Sequence, residues 1–334
     1  MDDLKFGTRN KRGDWAPAER LDVAPFWNWP LSIGKLFSYV VGYIWPWNLF
    51  IMATTVLWWY FVVPDMTTMK TIAWPWVVKL LAANWIGNFL FYGFIELRYY
   101  GKRVQERRFK YNTKFPAEQP SDVFMFRSQN IDNFIRSFFV SIPIGTAIEV
   151  GLLWAFANGF TPMVTWQAHP GYLIFLTLVA PIVHEVHFYF IHRAIHWGPL
   201  YKWVHSVHHN SVNPSPWSSM SMHPVESTLY FGVAFWVLAV PSHPFIAVYF
   251  FHLAAFGAVV GHIGFDKLEL TEDVAQSSHA YAHYLHHKFF EVNYCDNGFF
   301  PLDRWFGSWH DGSPEGERRM QERFAKKKAR LNAG

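Results

Sequence analysis

Polar and apolar positions along this chain separate into long blocks and do not alternate with the period of a strand or of an amphipathic helix. No Asp, Glu, Lys or Arg occurs between Lys35 and Asp65. Within that block, 44–63 alone is long enough to cross a hydrocarbon layer of about 30 Å as a helix. A second block, 71–95, carries Lys79 as its only charge, and a third, 137–159, carries only Glu149. A fourth begins near Gly171 and runs directly into HEVHFYFIHRAIH. Trp and Tyr gather near the block ends, where amphipathic rings favour the headgroup zone. Asn84, Asn88 and Glu149 are costly against lipid, so they are expected to face a protein interior.

One further apolar stretch, 230–260, has no Asp, Glu, Lys or Arg, and the sequence PSHP at 241–244 divides it. The two arms of roughly 11 and 16 residues are each shorter than the ~20 needed to cross a bilayer, and proline interrupts helices. The stretch therefore predicts a half-inserted helical hairpin that returns its two flanks to the same face. The fold class expected is all-α and polytopic: about four transmembrane helices, a re-entrant helical hairpin and a cytosolic histidine-rich helical cap.

Composition supports a membrane protein. Aromatic residues make up 20% of the chain and charged residues only 16%, against about 25% charged in soluble domains. Charge placement sets the orientation. The segment 98–114 holds seven Lys or Arg, and the N-terminal arm and the tail ERRMQERFAKKKAR are basic, whereas loops 64–70 and 160–170 hold one basic residue between them. The positive-inside rule puts arm, central loop and tail in the cytoplasm. The expected location is a multi-pass protein of a bacterial inner membrane or the endoplasmic reticulum, with both termini and the histidines cytoplasmic. The lone Cys295 excludes an intramolecular disulfide, and the charged first 20 residues have no apolar core of a cleavable signal. No nucleic-acid-binding motif is seen; the basic stretches read as positive-inside flanks.

Fifteen of the 17 histidines lie between His184 and His287. His192 and His196 are four apart; His205, His208 and His209 repeat the i, i+3, i+4 spacing found again at His283, His286 and His287. On helices each set shares one side. A single histidine on an apolar helix is ordinarily a satisfied core residue, but blocks this dense would repel one another on protonation unless a metal held them. One tetrahedral zinc takes four ligands at most, so eight imidazoles point to two metals. Neutral imidazole suits iron, zinc or copper, and spacing alone does not choose. A metal transporter and a structural zinc protein are the alternatives from other classes. The blocks lie at the ends of spans, not mid-membrane where transport sites lie, and eight ligands exceed what structural zinc requires.

Over residues 183–312 the sequence resembles the fatty acid hydroxylase/sterol desaturase superfamily of membrane non-haem di-iron oxidases, nearest its lathosterol-oxidase-type sterol desaturase branch. The resemblance rests on YKWVHSVHH, on PSPWSSMSMHPVE with His223, on GHIGFD with His262, and on HYLHHKFFEVNYCDNGFFPLDRWFGSW with its closing Asp-Arg-aromatic-x-Gly turn. It implies as metal ligands His192, His196, His205, His208, His209, His262, His283, His286 and His287, with His187 and His223 as further participants and Glu185 as a carboxylate orienting an imidazole. Cys295 stands where the family has Gly, which bears on the local turn, and Ala282 replaces an accessory histidine. His169, His243, His252 and His310 match no family position. The resemblance also implies two non-haem Fe ions, O2, and an external electron donor such as cytochrome b5 or ferredoxin acting as redox partner. The implied reaction is desaturation or hydroxylation of a sterol or other long apolar lipid, with a fatty-acid or carotenoid-type hydroxylase as the neighbouring alternative. The expected organisation is a cytosolic arm (1–35), transmembrane helices with a basic cytosolic loop at 97–133 (36–182), a catalytic di-metal region containing the 230–260 hairpin (183–312), and a basic tail (313–334).

Overall fold

The computed structural model describes residues 1–116, 119–295 and 298–333. Among them, strands form only two short antiparallel ribbons, Gly7–Arg9 with Trp15–Pro17 and Lys267–Glu269 with Ala275–Ser277. Everything else of regular structure is helical, as the block pattern predicts.

Five helices are long and apolar enough to cross a membrane, judged by length and composition. The first, Ile33–Phe61, starts earlier than the expected 44–63. It comprises α1 (Ile33–Tyr43) and α2 (Leu49–Phe61), joined through a wide turn where Trp45 leaves helical geometry (φ −105°, ψ 136°). Pro46 explains the break, since it lacks an N–H and pushes the preceding residue toward extended backbone. Then follow α3 (Trp74–Ile95), α4 (Ile142–Ala157) and α5 (Pro170–Ile195). α3 and α5 have proline in the first turn, where the missing N–H leaves no helical bond unmade, whereas α4 continues the longer helical run Gln129–Ala157. The outward surface is apolar: Trp74, Tyr60, Leu90, Phe94 and Leu178 are all strongly exposed, a surface suited to hydrocarbon. The polar residues turn inward as expected. Asn84 accepts from Trp58 Nε1 (2.9 Å) and donates to Thr146 Oγ1 (3.0 Å) and Glu149 Oε2 (2.8 Å).

The hairpin is present but reaches further than half-way. Its first arm is α6 (Pro224–Phe231) continued by a tighter 3₁₀ stretch, Gly232–Leu238; its second is α7 (Pro244–His262). The turn between them meets the loop joining α4 and α5. Ser242 N donates to Pro162 O and Val164 N to Ser242 O (3.0 Å each), and Tyr172 Oη donates to Pro241 O (2.8 Å). At 1.5 Å per residue α7 is about 28 Å long, and the 3₁₀ stretch, at about 2 Å per residue, lengthens the first arm. Counting only uncharged residues made the arms look short. Glu226 and His262 are polar yet belong to the helices, because both turn into the protein at the histidine end. α7 is buried along almost its whole length, which explains its all-round apolar sequence.

The remaining segments gather at the end of the bundle where the hairpin starts and finishes. The N-terminal arm buries Trp15 against Phe109 and Tyr111 of the basic loop. Tyr111 N donates to Gly264 O (3.2 Å), and Arg108 pairs with Glu269 (2.9 Å). The tail helix, α9 (Pro314–Ala333), attaches through Lys327 to Glu291 (2.7 Å); α8 (Tyr281–Phe289) carries the third histidine block between them. Arm, basic loop, tail and histidines thus share one end.

This geometry predicts a labelling pattern. In a chain whose native Cys295 is buried, single cysteines at exposed Ala239, in the hairpin turn, and at Phe160 should react from one side of the membrane. A cysteine at Lys326 should react from the other. Protection of Ala239→Cys from both sides would restore the half-inserted hairpin.

Candidate metal centre

Four segments deliver the histidines, His262 coming from the end of α7. The last turn of α5 carries His192 and ends at His196; 201–209 forms one wide turn and one ordinary helical turn; α8 supplies the last block. Nine imidazoles sort into two groups, each with its ligand atoms within 4.8 Å of one another: His192, His196, His205, His209 and His286, and His208, His262, His283 and His287. The His-x-x-His-His spacing is what divides them. In each block the i and i+4 histidines go to one group and the i+3 histidine, about 100° away round the helix, goes to the other. The groups adjoin, with the His209 and His287 rings 4.9 Å apart.

Hydrogen bonding fixes the tautomers. His192 Nδ1 bonds Tyr294 O, His262 Nδ1 bonds Ala258 O, and His286 Nδ1 bonds Val292 O, each at 2.7 Å. A carbonyl only accepts, so these nitrogens carry the proton. His205 Nδ1 donates likewise to Glu226 Oε1 (2.7 Å). The Nε2 atoms of these four rings therefore present lone pairs, and in both groups Nε2 atoms face one another. His192–His205 and His209–His286 are 3.0 Å apart; His208–His262, His262–His283 and His283–His287 are 3.1–3.2 Å apart. Facing lone pairs at this range repel unless a cation lies between them. Ligands held 2.0–2.1 Å from one ion are roughly 2.9–3.4 Å from each other, so the residues fit a metal in each group.

The surroundings keep the ligands neutral. Burial, then the neighbouring His208, pushes His196 down to about 3; burial, then His283, does the same to His208. Burial first, and neighbouring imidazoles second, hold His205, His209, His286 and His287 well below the ordinary histidine range. Neutral imidazole is the metal-binding form. A cavity of about 460 Å³ opens against both groups, touching His192, His205, His208, His262 and His283, and runs between Tyr39, Tyr43, Phe188 and Leu253. Its size is that of sites for ligands of several hundred daltons.

Three further residues implied by the resemblance lie outside both groups. His187 Nε2 donates to Leu229 O (2.9 Å), tying α5 to the hairpin. His223 caps α6, its Nδ1 accepting from Val225 N (3.2 Å). Glu185 lines the cavity and accepts from Phe299 N (2.8 Å). His169, His243, His252 and His310 also stay outside. Sequence reasoning missed Glu226, fully buried on His205. Its signal was the HPVE run, in which a capping residue is followed three positions later by Glu. Asp303 of the closing turn accepts from Tyr294 N and Cys295 N (2.9 Å each), which places the carbonyl that orients His192. At Cys295 the glycine of the family is dispensable, since the left-handed residue of this turn is Asn293 (φ 48°).

Fold and site together define a polytopic helical membrane protein with a histidine-lined metal centre at one end. Residues 177–308 match the family model for fatty acid hydroxylase. A Delta(7)-sterol 5(6)-desaturase of Gibberella zeae is 26% identical over 250 residues, covering 71% of this chain and 69% of that one. A methylsterol monooxygenase of Aspergillus fumigatus is 31% identical over 157 residues (44% and 51%), and sphinganine C4-monooxygenase 2 of Arabidopsis thaliana 29% over 137 residues (40% and 53%). The chain thus spans about half the length of these last two relatives. No solved structure is significantly similar. Over this region the chain is similar to the fatty acid hydroxylase family, which indicates an oxidoreductase and is consistent with the sterol desaturase branch.

Glu226 gives the centre a specific dependence. Glu226→Ala removes the acceptor that orients His205 and should weaken iron retention by about 10–100-fold, read as iron per chain after dialysis against a graded chelator. Wild-type retention in Glu226→Ala would show that the carboxylate does not position the ligand.

Proposed function

We propose that this protein is a membrane-bound non-haem di-iron oxidase that uses O2 to desaturate or hydroxylate a sterol or another long apolar lipid. The observation that carries this reading is the pair of imidazole groups opening together on one largely apolar cavity. His192, His196, His205, His209 and His286 would hold one iron, and His208, His262, His283 and His287 the other. Bound iron supplies O2 activation, which amino-acid side chains cannot provide for an unactivated C–H bond.

The chain's own residues do the rest. The Nδ1–H bonds to Tyr294, Ala258, Val292 and Glu226 keep the Nε2 atoms of His192, His262, His286 and His205 aimed at the metal. The aromatic and aliphatic cavity wall admits an apolar chain or ring system and excludes water. Placement decides between an alcohol and an alkene, because a displacement of about 1 Å can change a rate ~10²-fold. The names of the relatives, a sterol desaturase, a methylsterol monooxygenase and a sphinganine monooxygenase, support a lipid substrate. The shared end of arm, basic loop, tail and histidines supports a cytoplasmic centre, where an electron donor such as cytochrome b5 or ferredoxin would dock. Five and four converging ligands, four of them held by Nδ1–H bonds, argue against a transport site, which must release its ion.

Replacing one ligand tests the assignment against a bystander. His286→Ala should abolish product formation and lower iron content while leaving the membrane-extracted protein folded, because span packing does not depend on the site. His243 caps α7, accepting from Phe245 N (3.1 Å), and packs against Trp59, outside both histidine groups; loss of the cap should cost about 1 kcal/mol of stability and retain most activity. Retained iron and turnover in His286→Ala would refute the ligand set.

A further inference from the structure

A second, small cavity lies inside the span bundle, away from the metal centre. His252, on its wall, precedes the ligand His262 by ten residues of α7, about 15 Å along the helix. The cavity measures about 20 Å³ and is lined by Asn84 and Asn88 of α3, Thr146 and Glu149 of α4, and His252 of α7. Three atoms on these walls have no hydrogen-bond partner among the described residues: Asn88 Oδ1, Glu149 Oε1 and His252 Nε2. Their residues are 3%, 1% and 3% exposed. Unsatisfied polar groups are costly at this depth in a membrane bundle, so three around one cavity point to an occupant.

The neighbouring bonds say what each atom offers. Asn88 Nδ2 donates to Asn84 O (2.8 Å), which leaves Oδ1 an acceptor. Thr55 Oγ1 lies 2.9 Å from Ile51 O and 3.0 Å from His252 Nδ1. Both contacts are satisfied together only when the hydroxyl donates to the carbonyl and accepts from Nδ1–H, so Nε2 is an acceptor as well. Glu149 Oε2 already accepts from Asn84. With Glu149 ionised the walls would present three acceptors, whereas a water molecule brings two hydrogens. No Lys or Arg lines the cavity, so nothing there offsets a carboxylate charge.

We propose that this cavity binds one water molecule and that Glu149 holds a proton there. The carboxyl O–H donates to the water, and the water donates to Asn88 Oδ1 and His252 Nε2. Three donated hydrogens then meet three acceptors, and one site ties α3, α4 and α7 together. The volume exceeds the ~10–15 Å³ that one water needs.

The test uses the full-length, metal-loaded protein in detergent, as wild type, Glu149→Gln and Glu149→Leu. Gln keeps a donor toward the water and an acceptor toward Asn84, so its melting midpoint should stay within about 2 °C of wild type, whereas Leu should lower it by roughly 4 °C or more. The wild type should show the infrared C=O stretch of a protonated carboxyl at neutral pH that Glu149→Gln lacks. Its midpoint should be equal in sodium and choline chloride. A midpoint that rises with sodium would mean a cation and an ionised carboxylate, overturning the proposal. Absence of the carboxyl band, or Glu149→Gln melting as low as Glu149→Leu, would overturn it equally; if the Leu variant does not fold, the band and the Gln variant still decide.

Discussion

Nine imidazoles whose Nε2 atoms converge at about hydrogen-bond distance are the constraint around which this protein is built. Each Nδ1 that donates to a carbonyl or to Glu226 commits its Nε2 to the metal. That commitment requires the backbone of 258, 292 and 294 to sit within 2.7 Å of a ring. The turn held by Asp303, the end of α7 and the loop after α8 are therefore parts of the centre as much as the histidines are. Removing a carbonyl from its place would free a ring to flip its tautomer, and the group would lose a ligand without losing a histidine.

The hairpin serves the same end. Its first arm starts at Glu226, which orients a ligand of the five-histidine group, and its second ends at His262, a ligand of the four-histidine group. Between those points it crosses the bundle to the opposite loop and returns. Tyr92 of α3 ties it to the bundle by donating to Ala255 O, and Tyr230 of its first arm donates to Ala254 O of the second. The large cavity lies between this buried element and the aromatic first span, so its apolar and histidine-lined walls are set by one packing arrangement.

Much of this was legible in the sequence. Charge-free blocks gave the spans, because the energetic penalty of charge in hydrocarbon is large enough to leave a pattern. The i, i+3, i+4 spacing gave all nine histidines that now group, together with the resemblance that supplied His262. What stayed hidden depends on contacts distant in sequence. Glu226 reads as a capping residue until His205 is seen beside it, and His223, which the resemblance favoured, turns out to be the cap. His187 lies on the right helix but its ring meets Leu229 O. The division of each block between two groups could not be seen either, since it depends on how three short helices are rotated against each other. The depth of the hairpin was misjudged because polar residues turned inward do not end a span.

The central claim is that the chain holds two adjacent metals through imidazole alone. Metal analysis combined with X-ray absorption on purified protein tests it most directly. The account predicts two irons per chain, nitrogen in the first shell at about 2.0–2.2 Å, no sulfur ligand, and a second metal as near neighbour. A single tetrahedral ion per chain, or a sulfur scatterer from Cys295, would contradict it.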